Sequence, residues 1–335
     1  MFVHRPEVFR WQHEAAEGRV NMVVAADDDS GALVGVLGFI PTGHFDRALG
    51  DHDLALAIWK IDERHAPPGV GLQLLKFLQR EVRPRLIVAI GTSEMVRPIY
   101  RVLGYTQGVM AHAALFDPAR LDSLSIADVP PSSRVRVPTA SETAVALRRL
   151  DETPDETLEE AILAAGEFIT PPKSLAYVHQ RYVEHPWFDY EVRSVVVAGE
   201  TVGAIVWRVV EAAGSRVLRV VDVVGDASWI EHGTTALLAE IRAADAEYLD
   251  IVHHGLDTSA LLRAGFVDRA SDPELIIPNY FAPFERRNVD LWFAFRADAP
   301  DRVRFFRADT DQDRPNSAAE VDRPLTPDTS GAGRR

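Results

Sequence analysis

The chain is expected to fold as an α/β (α+β) protein of two tandem domains, each a mixed, mainly antiparallel sheet flanked by helices. Three observations carry that expectation. An order of hairpin, strand, glycine turn, helix, strand, helix and strand runs through the first 116 residues. The order returns from Val192, and Gly265-Phe266 falls 161 residues after Gly104-Tyr105, which makes the repeat one of whole domains and not of short solenoid units. The length of 335 residues, 47% hydrophobic and 26% charged, exceeds what one core ordinarily organises and has an ordinary globular composition.

Taken in order, residues 6–17 read as a helix. Asn21–Ala26 and Leu33–Ile40 are apolar, β-rich runs around Asp27-Asp28-Asp29-Ser30-Gly31, the pattern of an antiparallel hairpin. Leu54–Ile61 reads as a third strand and Pro67-Pro68-Gly69-Val70-Gly71 as a turn. A helix is expected over Leu72–Val82, because Leu74, Leu75 and Leu78 share one face. Arg85–Ile90 is a strand, Glu94–Leu103 a helix stopped by Gly104, and 108–116 the last strand of the first unit. Residues 117–140, rich in Pro, Ser and Asp, read as a linker, and 141–190 as mostly helical. Val192–Val197, Val202–Val209 and Arg216–Val224 are strands, followed by a helix over Thr234–Ala243, a strand over Tyr248–His253 and a short helix before Gly265. The polar, Gly/Pro-containing tail from 317 to 335 is expected to be disordered. The domains are therefore expected at 1–120 and 136–316.

Charge and residue usage exclude several functions. With 36 basic and 50 acidic residues the net charge is −14, a mean field that repels phosphate, so neither nucleic acid nor an anionic membrane is an expected partner. The absence of cysteine removes disulfides, thiolate metal sites and a cysteine nucleophile. No apolar run approaches the roughly 20 residues that span a bilayer, and the first residues lack the apolar centre of a signal peptide. A soluble, cytoplasmic protein is the expectation.

The stretch Leu54–Leu78 carries the chemistry. Glycines at a strand-to-helix turn let backbone N–H groups converge, and the helix N-terminus adds positive partial charge, so a pyrophosphate can be held without lysine. Neither a P-loop nor a dinucleotide fingerprint is present. In its context, Ala66-Pro-Pro-Gly69-Val-Gly71-Leu-Gln-Leu74-Leu75, with Tyr100-Arg-Val-Leu-Gly104-Tyr105 behind it, resembles the GNAT acyltransferase superfamily. The resemblance implies two tandem GNAT-like domains and acetyl-CoA or a longer acyl-CoA as co-substrate. It places Trp59, Lys60, Ile61, Pro67, Pro68, Gly69, Val70, Gly71, Leu72 and Ser93 around the CoA, with the pyrophosphate on the amides of 67–72. It makes Tyr100 the acid that protonates the leaving thiolate. The chain departs from the pattern at Ala66, where a basic or amide residue is usual, and at Ser93, where asparagine is usual.

Phe9-Arg-Trp-Gln12, Gly38–Thr42, Ala57-Ile-Trp-Lys60 and Phe306–Asn316 look like a tandem subgroup of the same superfamily. That likeness implies acyl transfer to the amine of a nucleotide-linked amino sugar in surface-polysaccharide biosynthesis, with the acceptor between the domains. In the second copy Trp229-Ile-Glu-His232-Gly233 replaces the glycine loop and Leu261 the tyrosine, so it is read as degenerate and as the acceptor side. Amine attack needs a base, for which Glu94, Asp222, His253 and His254 are candidates. Arg314, Asn316, Asp309 and Tyr182 are candidates for holding the acceptor. A calcium loop starting at Asp309 is disfavoured by Arg314 at its sixth position, where a glycine is required, and no metal is expected. A non-catalytic module binding acyl-CoA or a nucleotide sugar, or an enzyme acting on an aminoacyl or peptide amine, are the alternative readings, and a homo-oligomer is compatible with either.

Overall fold

A computed structural model describes residues 3–15, 18–134, 141–316 and 318–322. Helix α1 (Pro6–His13) is followed by the hairpin β1 (Met22–Ala26) and β2 (Leu33–Pro41), then β3 (Asp53–Ile61). Helix α1 stops short of the expected 6–17 because Glu14 turns to extended backbone. Helix α2 (Val70–Val82) buries Leu74, Leu75 and Leu78, and ends where Arg83 takes a left-handed conformation ahead of Pro84. β4 (Leu86–Ile90), α3 (Arg97–Val102), β5 (Thr106–Val109) and β6 (Ala111–Phe116) complete the first half.

The second half begins with β7 (Val145–Arg149), a strand inside the stretch expected to be helical. It is followed by α4 (Asp155–Gly166) and α5 (Leu175–Val178), the latter continuing as a π turn to Val183. β8 (Glu191–Val197), β9 (Glu200–Ala212), β10 (Ser215–Gly225), α6 (Thr234–Ala243), β11 (Tyr248–His254), α7 (Thr258–Arg263) and β12 (Val267–Asp268) repeat the earlier order. β13 (Trp292–Ala297), β14 (Phe305–Phe306) and α8 (Ala318–Asp322) end it. The short helix α8, tied to the N-terminal segment by an Arg5–Asp322 ion pair, falls in the tail expected to be disordered; residues 317 and 323–335 lie outside the described residues.

Two mixed sheets result, ordered β1-β2-β3-β4-β13-β5 and β12-β6-β11-β10-β9-β8-β7. Each contains one parallel pair, β3 with β4 and β10 with β11, among antiparallel neighbours. The division at residue 120 does not follow these sheets. The expected strand over 108–116 breaks at the buried Met110. Its first part pairs with β13 and its second with β11, so the halves exchange strands: β6 enters the second sheet and β13 the first, at equivalent places. A buried ion network fastens the exchanged β6. Asp250 accepts from His112 at 3.0 Å and from Arg219 at 2.6 Å, and against the penalty of burial Arg219 holds its carboxyl well below the usual range.

Helices α2 and α3 cover the outer face of the first sheet, and α6 and α7 that of the second. The inner faces share one core, in which Ile40, Ala55, Val88 and Phe293 meet Val206, Val221, Val252 and Phe305 with α4 and α5 between. The space between the halves is therefore packed, not open. Residues 117–134, expected to be linker, also pack down: Ile126 and Ala127 are buried against Tyr248 and Ile277, while 135–140 lie outside the described residues. Among the described residues, no helix is long and apolar enough to cross a membrane.

Candidate active site

The parallel pairing of β3 with β4 covers only Asp53–Leu56 against Leu86–Ala89. A β-bulge at Ala57, which has no partner between the pairs Gly38–Ile58 and Phe39–Leu56, then turns β3 away. From Ile58 to Ile61, β3 pairs with β2 alone, and its other edge opens a wedge towards the end of β4. Backbone N–H groups on an unpaired edge are available donors for a carbonyl.

The N-terminus of α2 faces this edge. Gly69 adopts φ +89°, and the first i→i−4 bond is from Gln73 N to Gly69 O at 3.0 Å, so the N–H groups of Gly71 and Leu72 lack an intrahelical acceptor. Pro67 and Pro68 carry no N–H, so the expected amide cradle over 67–72 contracts to Gly69–Leu72, with the prolines shaping the turn. Gly71 lies against Trp59: a Cβ there would stand 3.1 Å from the indole Nε1. Ile61 packs on the same glycine, while Lys60 is exposed. A groove of about 550 Å³ borders the loop on the hairpin side, but the Asp27–Asp29 tip on its rim disfavours phosphate there.

Tyr100, from α3, meets Trp59 edge-on with ring centroids 5.7 Å apart. It is 2% exposed, and burial pushes its phenol above the ordinary range, so the hydroxyl keeps its proton at neutral pH. Trp59, Ile61, Gly71 and Tyr100 are thus brought together. Ser93 and Glu94 sit in the exposed loop before α3, because the helix begins only at Arg97.

The opposite flank of the wedge belongs to a segment no glycine or helix pattern marked, the strap 307–316. Gln312 donates its amide to Ile90 O at 3.3 Å and covers Gly91, where a Cβ would meet it at 2.7 Å. Arg314 reaches Asp311 at 3.4 Å, and its charge acts on His13 of α1, which rests on Gly38 and Phe39 across the sheet. Asn316 is exposed, its amide bonded to Glu320 at 2.7 Å.

Four expected site residues are structural instead. Asp222 is fully buried, its two oxygens 2.7 Å from Lys173 Nζ, and it accepts from the Tyr182 hydroxyl at 2.6 Å. Lys173 also binds Asp309 at 2.7 Å. Burial alone would push the ammonium down, but the two carboxylates hold it above its ordinary value. Asp222, Asp309 and Tyr182 therefore form an ion knot in the shared core. The fourth is His253, 2% exposed with neither ring nitrogen partnered, its imidazole lowered by burial to about 4. Its neighbour His254 is half-buried among Phe293, Phe295 and Phe305.

The physical reason is that the second wedge is filled. β10 parts from β11 after Val220, with a bulge at Val221 matching Ala57, but β14 pairs with His253 and His254 and occupies the gap. The loop matching Gly69–Gly71 is closed by buried Trp229, which packs on Gly233, and Leu261 is buried where the first half has Tyr100. Because the folded state resists protonating His253, stability falls as pH drops from about 6.5 towards 4. His253→Leu is expected to be more stable than the parent at pH 5 by about 2 kcal/mol and to lose that advantage above pH 7, as read by urea denaturation.

No protein-family model matches the chain, and no curated protein matches its sequence. Among solved structures it is similar to a GCN5-related N-acetyltransferase from Anabaena variabilis ATCC 29413, at 13% identity over 87% of this chain with a TM-score of 0.51. It spans 65% of that protein's length. A GCN5-related N-acetyltransferase from Sphaerobacter thermophilus aligns at 14% identity over 84% of this chain and 82% of its own, with a TM-score of 0.41. The two mixed sheets flanked by helices are a GNAT-like fold.

Proposed function

We propose that the chain is an acyl-CoA-dependent N-acyltransferase whose single CoA site lies in the first half. One observation carries this reading: the open edge of β3, the glycine N-terminus of α2 and the protonated Tyr100 converge on one wedge. The first-turn amides of α2 suit a pyrophosphate, the β3 edge suits a thioester carbonyl, and the Tyr100 hydroxyl suits a departing thiolate. The residues present fit such a ligand, although Ala66 brings no charge to the loop. The second half, with its wedge plugged, serves as scaffold for the strap that borders the acceptor side. For the acceptor we favour the amine of a nucleoside-diphosphate amino sugar. The sequence likeness supports this, as does Arg314, which lies beside the wedge and could meet a diphosphate. A role in surface-polysaccharide synthesis belongs to the same proposal.

Tyr100→Phe is expected to lower turnover by roughly 100-fold while CoA affinity changes little, because the hydroxyl matters as the thiolate leaves. Thiol release from acetyl-CoA in single turnover, with CoA binding measured by calorimetry, checks both. Unchanged turnover would leave Tyr100 a core residue.

A further inference from the structure

We propose that Asp311 is the general base that takes the proton from the attacking amine, so that the second half of the chain completes the site built by the first. The proposal rests on the acyl-transfer reading above and deepens it. The strap presents three aspartates, at 309, 311 and 313, and the structure treats them differently. Asp309 is held by Lys173 at 2.7 Å and by the Phe306 amide at 2.7 Å. Asp313 is held by Arg208 at 2.9 Å and by the Tyr190 hydroxyl at 2.6 Å. Arg181 fixes the backbone on either side of Asp309, donating to Ala308 O at 2.6 Å and to Thr310 O, next to Asp311, at 3.2 Å. Asp311 stands in the middle of this clamped segment, 8% exposed; among the described residues its carboxylate meets other side chains at long range, 3.4 Å to Gln312 and 3.4 Å to Arg314, and it also accepts from its own backbone amide. A carboxylate serving to pin the strap would show the short contacts of its two neighbours.

Its place is as telling as its contacts. Gln312 Nε2 lies within reach of both Asp311 Oδ1, at 3.4 Å, and Ile90 O, at 3.3 Å, which sets the carboxylate beside the end of β4, opposite the open edge of β3. Burial raises the carboxyl from its ordinary value, with Arg314 opposing, and this strengthens it as a base. The ionisable groups around it are Arg314 on the strap and, beyond Arg314, His13 of α1, whose imidazole burial lowers to about 4. In the step proposed, the amine nitrogen forms a bond to the thioester carbonyl carbon and gives its proton to Asp311. The C–S bond breaks, and the sulfur leaves with the electron pair and takes the proton of the Tyr100 hydroxyl.

The test compares wild type, Asp311→Asn and Asp311→Glu in thiol release from acetyl-CoA against a panel of primary amines comprising amino sugars, amino acids and polyamines. CoA affinity and melting temperature are measured beside it. Asp311→Asn is expected to lower turnover by roughly 100-fold or more, to erase the acidic limb of the pH–rate profile and to leave CoA affinity unchanged. Its melting temperature at pH 7 should be equal to or above wild type, since it removes a carboxylate that is less readily ionised in the folded state than in the unfolded one. Asp311→Glu should recover part of the turnover and the acidic limb. Wild-type turnover and pH profile in Asp311→Asn would overturn the proposal. So would a lowered melting temperature with activity that glutamate does not restore, which is the signature of a structural pin. Wild-type protein that binds no CoA, or releases thiol with no amine, would overturn the acyl-transfer reading itself and this assignment with it.

Discussion

Gly71→Glu is expected to weaken CoA binding by roughly 100-fold or more while the protein stays folded. Any side chain here begins 3.1 Å from Trp59 Nε1, closer than ordinary contact, so it must displace the indole or block the approach of a ligand to the first turn of α2. Glutamate also places a negative charge where the unpaired N–H groups and the helix dipole present positive potential. Gly71→Ala separates the two effects, keeping the steric one and omitting the charge, and is expected to cost about tenfold. Neither change should unfold the protein, because the residue is half-buried at a helix start and both replacements favour helix over glycine by up to about 1 kcal/mol. Calorimetry reads the affinity and the stoichiometry together. Two sites per chain, or wild-type affinity in Gly71→Glu, would place the pyrophosphate elsewhere.

Lys173→Met should have the largest effect on stability, a loss of about 3–5 kcal/mol at neutral pH. Lys173 is the cation shared by Asp222 and Asp309, and all three are buried in the core that joins the sheets. Methionine fills the volume of the stem but leaves two neighbouring carboxylates without a counter-ion. Those carboxylates can persist only if one takes up a proton, so their folded-state affinity for protons rises above that of the unfolded chain. The sign follows directly: the variant should regain stability as pH falls through the raised value, and by more than the parent, in which burial raises the Asp309 carboxyl while Lys173 opposes the rise. Urea midpoints at pH 8 and pH 5 measure it. A loss under 1 kcal/mol at pH 8, or one independent of pH, would show that the knot is not a charge-balanced unit.

Local pattern was sufficient for much of the site. The α2 apolar face, the glycine turn before it and the strand before that are contiguous, and short-range sterics dictate them; Trp59, Gly71 and Tyr100 meet because a strand, a helix and a second helix packed on one sheet face leave few other arrangements. The bulky residues that set the second half apart, Trp229 at the loop and Leu261 in the place of Tyr100, were readable as well. Ionisable residues misled, since Asp222, Tyr182 and His253 have the side chains that catalysis uses, and nothing in their neighbours along the chain marks them as buried. Lys173, which neutralises Asp222 from 49 residues away, carries no motif.

The order of elements and the glycine turn at the start of α2 were legible from sequence alone, because each depends on residues a few positions apart, and the internal repeat because that local order recurs. The exchange of β6 and β13, the plugging of the second wedge by β14 and the delivery of Asp311 and Gln312 to the first were decided only in three dimensions. Those features join strands and side chains far apart in the chain: β14 meets β11 across about 50 residues, β6 and β13 meet their partners across more than 100, and Gln312 meets Ile90 across 222. Their energy comes from a core that both sheets must complete together, and that core exists only after the whole chain has folded.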